Sequence, residues 1–163
     1  MTSNRLGTTT NLEVGGTYDL LSIKVEGTFP EGKISFGFYD VPMKITGLQK
    51  VAQVFLKTLL TTKGSDVFYP ERGTEFPELA VGSNSIYNDD TLLAELTSAI
   101  NDATEQTINS LNVNTSDQSS CLYSVEILGM DRISEGIVVY LQMQTLAGEL
   151  ASISLPFPEF GLN

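Results

Sequence analysis

Between Leu48 and Leu60 the apolar residues keep helical spacing. Leu48, Val51, Ala52, Phe55, Leu56, Leu59 and Leu60 stand at i, i+3, i+4, i+7, i+8, i+11 and i+12, one face of an α-helix. Thr46 is the expected N-cap, Lys57 and Lys63 sit toward the negative end of the helix dipole, and Gly64 supplies the stop. Burying such a face contributes about 10–20 kcal/mol gross, before chain entropy is subtracted. A second helix is expected after a cap at Asn88, Asp89 or Asp90. It runs to about Leu111 and turns Leu92, Leu93, Leu96, Ala99, Ile100, Ala103, Ile108 and Leu111 inward.

Elsewhere the period is two. Tyr18 to Val25 and Lys33 to Val41 are β-branched and aromatic, with a turn-forming cluster at Gly27 to Gly32, and predict an antiparallel pair. Ile34, Phe36 and Phe38 share one face; Ser35, Gly37 and Tyr39 share the other. After residues 112–117 break the second helix, Tyr123, Val125 and Ile127 alternate with Leu122 and Leu128. A turn at Asp131 to Gly136 leads to Ile137, Val139, Leu141 and Met143, and Ala147-Gly148 leads to a third run from Leu150 to Leu155. Neither period survives between Ser65 and Asp90. Pro70, Gly73, Pro77 and Gly82 are interleaved there with Phe68, Tyr69 and Phe76, which predicts an ordered, partly buried loop.

This order of elements describes an α+β fold in one domain, two main helices packed on a mostly antiparallel sheet. Residues 1–16, rich in Thr, Asn and Gly, are expected to be an arm that orders on a partner, and 17–155 the domain. Residues 156–163 are a tail. Pro156 and Pro158 exclude a central strand, and Phe157 and Phe160 serve either to dock a partner or to cap the core.

Composition narrows the chemistry. The 163 residues carry 20 acidic against 9 basic side chains, a formal charge of −11, which would repel a phosphate backbone; nucleic acid is not an expected partner. Apolar runs fall short of the roughly 20 residues that span a bilayer, and the opening residues lack the layout of a secretory signal, so folding in a cytoplasm is expected. There is no histidine, which removes the commonest general base, the usual zinc ligand and every His-dependent triad. Cys121, the one cysteine, has no imidazole to activate it and is expected to be structural. No glycine-rich phosphate loop opens either helix, and no EF-hand spacing occurs. Glu71, Glu75 and Glu78 cluster in the aromatic loop, as chance produces in a chain this acidic. Asp89 and Asp90 suit helix capping, and Asp117, Asp131 and Glu135 suit turns. No catalytic residue, cofactor or metal site is assigned.

The segment from Ile45 to Leu79, ITGLQKVAQVFLKTLLTTKGSDVFYPERGTEFPEL, resembles the lysozyme-like baseplate wedge family of contractile phage tails, which includes the sheath initiator. The likeness rests on Leu60-Thr61-Thr62-Lys63-Gly64 after an amphipathic helix, on Pro70-Glu71-Arg72-Gly73, and on the helix and strands that follow. Ser65-Asp66 and Ala103-Thr104-Glu105-Gln106-Thr107 stand where the family has an acid-Arg pair and a Glu-Pro-Arg signature. The resemblance implies a non-enzymatic virion component folded in the host cytoplasm and present in several copies around the tail tube. Its implied contacts are other wedge proteins, tube or hub proteins and the sheath protein, whose first ring it would template by edge-strand pairing along Leu150 to Leu155. Tyr69, Pro70, Arg72, Gly73, Phe157 and Phe160 are the interface candidates. Two other readings compete: a murein hydrolase of lysozyme type, which needs a protonated carboxyl facing a second carboxylate, and a protein-binding module unrelated to phage.

Overall fold

The computed structural model describes residues 18–26, 33–37, 39–82, 88–113, 117–133 and 136–158. The expected arm at 1–16, the turn at 27–32, Phe38, Glu135 and Phe160 lie outside these residues, as do the side chains of Ile34, Ser35 and Phe36.

Strands β1 (Asp19–Leu20), β2 (Ile23–Glu26), β3 (Lys33–Phe36) and β4 (Lys44–Ile45) open the chain. The expected antiparallel pairing joins β2 to β3, and β1 pairs separately with β4. Helices α1 (Gly47–Leu59), α2 (Phe76–Gly82) and α3 (Asp89–Leu111) follow, then a single 3-10 turn at Gln118–Ser120. Strands β5 (Leu122–Ile133), β6 (Gly136–Thr145) and β7 (Leu150–Pro158) close the chain as an antiparallel meander in the order β5-β6-β7. The fold is α+β.

The periodic stripes form the core. Val51, Phe55 and Leu59 of α1, with Leu92, Leu96 and Ile100 of α3, meet Ile137, Val139, Leu141 and Met143 of β6 and Leu155 of β7 in one buried cluster. Asn88 caps α3, its side-chain oxygen accepting the Thr91 N–H at 2.8 Å. Thr46 holds the N-cap position of α1 without a side-chain capping bond. Helix α1 stops at Leu59, before Gly64, because hydroxyls take its last carbonyls: Thr61 Oγ1 donates to Lys57 O at 2.6 Å and Thr74 Oγ1 to Leu59 O at 2.8 Å.

Helix α2 lies inside the stretch expected to be loop. Its seven residues are too short to show a period, and Pro77 is tolerated because its missing N–H falls in the first turn.

Strict alternation also fails in β5. Leu122 is buried and Tyr123 is exposed, the reverse of the period-two reading, while Val125 stays buried. A register shift between Leu122 and Ser124 inserts a residue and flips the parity, and a second between Ile127 and Gly129 leaves Leu128 exposed. The hairpin that follows is tighter than expected, for β5 runs to Ile133 and Asp131 lies in the ladder opposite Val138.

Strand β7 continues through Pro156 and Pro158, past the expected end at Leu155. The bond from Thr145 N to Glu149 O, 3.0 Å, sets the parity: odd-numbered residues of β7 bond to β6 and even-numbered ones face away. Both prolines are even. Their nitrogens point away from β6, to the side where β7 has no partner strand among the described residues, so no ladder donor is lost and an edge strand accommodates them.

One side chain ties the N-terminal strands to α1. Gln53 is 2% exposed; its Oε1 accepts the Ser22 N–H at 2.7 Å, and its Nε2 donates to Leu20 O at 2.8 Å and Asp19 Oδ2 at 2.6 Å. Lys57 adds an ion pair to Asp19 at 3.4 Å.

Candidate functional site

The chain between α1 and α2 is held at its base by backbone bonds. Thr74 N donates to Thr61 O at 2.8 Å, Lys63 N to Thr74 O at 3.1 Å, and Gly64 N to Pro70 O at 2.9 Å. Thr74 has no exposed surface, and its hydroxyl spans two helices: it donates to the last carbonyl of α1 and accepts the first N–H of α2, from Phe76, at 3.1 Å.

Helix α3 grips the same base. The amide of Gln106 accepts the Gly73 N–H at 3.1 Å and donates to Gly73 O at 2.9 Å, reading one residue's backbone in both directions. Gly73 has φ 90°, and a Cβ there would stand 2.3 Å from Thr61 O. No other residue fits that position without moving backbone.

Above the base, Asp66 prefolds the tip. Its Oδ1 accepts the N–H groups of Phe68 and Tyr69 at 2.9 and 3.2 Å, and Arg72 N closes a turn to Tyr69 O at 2.9 Å. The side chains so presented are apolar. Val67 is 89% exposed, Phe68 86% and Tyr69 56%, three adjacent residues on a segment with little freedom left. The Arg72 guanidinium lies 5.8 Å from the centre of the Tyr69 ring, within cation–π range.

Tyr69, Pro70 and Arg72 are therefore brought together at an exposed tip. Gly73 is not: it is buried and anchors the base. Phe157, half-buried, packs its ring edgewise on Phe76 with centroids 5.1 Å apart, so it stitches β7 to α2 rather than reaching outward. Phe160 lies outside the described residues. The sequence marked Phe68 as one of the aromatics of the loop but not as an interface candidate, and it did not single out Val67 or the Gln106 clamp. Nothing local marks a glutamine on a helix face as the partner of a glycine 33 positions earlier.

The remaining chemistry is quiet. Asp117 accepts bonds from Ser120 Oγ and Ser119 Oγ, both 2.7 Å, and from Ser119 N at 3.1 Å; these donors, Ser120 first, hold its carboxyl below the usual range. It caps the 3-10 turn. Burial, and then the Asp117 charge, push the Cys121 thiol up, so the sulfur stays protonated and a poor nucleophile. Glu71, Glu75 and Glu78 are exposed. Among the described residues no cluster of acids and cysteine is placed to hold a metal ion, and no helix is long and apolar enough to cross a membrane.

None of the family models, curated proteins or solved structures compared with this chain matches it.

Proposed function

We propose that the chain is a structural subunit of a contractile phage tail baseplate, a wedge component that acts through protein–protein contacts and not as an enzyme. The observation that supports this reading is the Val67-Phe68-Tyr69 tip. Three large apolar side chains are held in water by a loop that α1, α2 and α3 all brace, and the loop lies within the segment that carries the family resemblance. A rigid apolar projection loses little entropy when it seats in a partner, the property of an interface anchor. Wedge neighbours, tube or hub proteins and the sheath protein are the partners, in the baseplate of the virion after folding in the host cytoplasm. The outward edge of β7 from Leu150 to Leu155, which among the described residues pairs on one side, is the edge on which a first sheath strand would add.

The test is to raise antibody to the purified chain and image labelled particles. Label confined to the end of the tail is the expected result. Particles without label, or a chain that co-purifies with a partner unrelated to tails, would replace this reading with that of a general binding module.

A further inference from the structure

A sheet edge offers unpaired N–H and C=O groups to any strand that reaches it, and folded chains blunt such edges with charge, bulges or proline. Among the described residues the closing sheet has two edges, β5 and β7. Strand β5 is blunted in two ways: it carries the charged Glu126, Asp131 and Arg132, and its register shifts break the row of backbone groups. Strand β7 has neither device. Leu150 to Pro158 holds no charged residue, its pairing with β6 runs without a register shift, and Ser152 and Ser154 stand exposed. An uncharged strand of apolar and hydroxyl residues is the kind that pairs with copies of itself. What β7 does carry is Pro156 and Pro158, both even-numbered, so both missing N–H groups belong to the outward row. The outward donors that remain are those of Leu150, Ser152 and Ser154.

We infer that Pro156 and Pro158 guard the free edge of β7: they end any added strand at Leu155 and keep the β7 strands of two copies from joining. The longest antiparallel pairing of two copies is centred on Ser154, and in it every pair but the central one sets a proline where a ladder donor is needed. A register that avoids both prolines reaches only from Leu150 to Ser154, too short to hold together two chains of charge −11. A strand from another protein, with side-chain contacts of its own, can still use that window. The guard therefore selects what the edge accepts, a short foreign strand and not a second β7. It goes beyond the baseplate reading and holds whichever protein supplies the strand.

The experiment compares the purified chain with the double variant Pro156→Thr, Pro158→Thr by sedimentation over a range of concentrations. It is run at about 1 M salt, where the Debye length is about 3 Å and the repulsion between copies is screened. Amide hydrogen exchange is followed in the same samples. The unmodified chain should stay monomeric, with the Ser152 and Ser154 amides exchanging fast and those of Ala151, Ile153 and Leu155 protected. Threonine suits an edge strand, and β6 amides that exchange equally slowly in every chain verify folding. The double variant should associate about tenfold more tightly or better, and protect residues 152, 154 and 156 as concentration rises. Adding Ser154→Lys sets two like charges opposite each other at the centre of the pairing and should return the variant to monomer. A double variant as monomeric as the unmodified chain overturns the inference. So does association that ignores the lysine or leaves the outward amides unprotected, and so do Ser152 and Ser154 amides already slow in the unmodified chain, whether monomeric or joined through β7. None of these results bears on the labelling of tail ends, so the guard and the baseplate reading fail separately.

Discussion

A threonine hydroxyl and a missing methyl group decide the shape of the tip loop. Thr74 satisfies the end of one helix and the start of the next, and Gly73 lets the backbone of Thr61 pass so close that its carbonyl oxygen lies 2.3 Å from where a Cβ would be. Gly73→Ala combines a left-handed φ with a backbone clash, so it should destabilise the fold by about 2–3 kcal/mol in urea denaturation. Asp117 makes a different prediction, about pH. Its folded carboxyl titrates below the ordinary value of 3.8, so its contribution is complete above that value and is lost as pH falls through the depressed one. Acid unfolding of the unmodified chain should therefore steepen below about pH 3.8, and Asp117→Asn should flatten that limb, as measured by circular dichroism at fixed temperature.

Elements in this fold are joined by single polar side chains as much as by the core. Gln53 docks β1 on α1, and Gln106 docks the tip loop on α3; each makes paired bonds that a shorter side chain cannot reach. Gln106→Ala should leave the core intact and weaken the loop by about 1–3 kcal/mol. Hydrogen exchange is the measurement: the Gly73 and Thr74 amides should lose protection while those of β6 keep theirs. The strands show the complementary lesson. The core stripe of Ile137 to Met143 keeps its period of two because β6 is paired on both sides, although Val138 on the opposite face is buried as well, whereas the outer strand β5 carries two bulges and the outer strand β7 carries two prolines.

For the whole molecule the questions are charge and partners. An excess of 11 negative charges opposes the approach of two copies, and the exposed apolar residues lie at the tip, along β5, at the β6–β7 turn, where Leu146 and Leu150 are 47% and 59% exposed, and before β4, where Val41 is 74% exposed. A lysozyme-type acid requires a carboxyl in an apolar pocket. Glu71, Glu75 and Glu78 stand in solvent instead. The purified chain should release no soluble fragments from isolated cell walls, and Glu71→Gln, Glu75→Gln and Glu78→Gln together should change nothing; turbidity loss with the unmodified chain that the triple variant abolishes would establish the hydrolase.

The periodic part of this protein was determined locally. Both long helices, the β2–β3 pairing and the β6 core stripe follow from side-chain spacing, because a helix or a doubly paired strand repeats one geometry and its buried face must repeat with it; the cap of α3 was legible only as one of Asn88, Asp89 and Asp90. What breaks the repeat was decided by tertiary contact. The parity switch at Leu122 depends on which residues of β6 it meets, and α2 is too short to declare itself. The candidate site is of the same kind: Tyr69, Pro70 and Arg72 were visible as an aromatic, turn-rich stretch, but their exposure, and the buried duty of Gly73, come from Thr61, Thr74 and Gln106 closing on the loop from two other elements. A loop has no period of its own, so its conformation is read from what holds its ends.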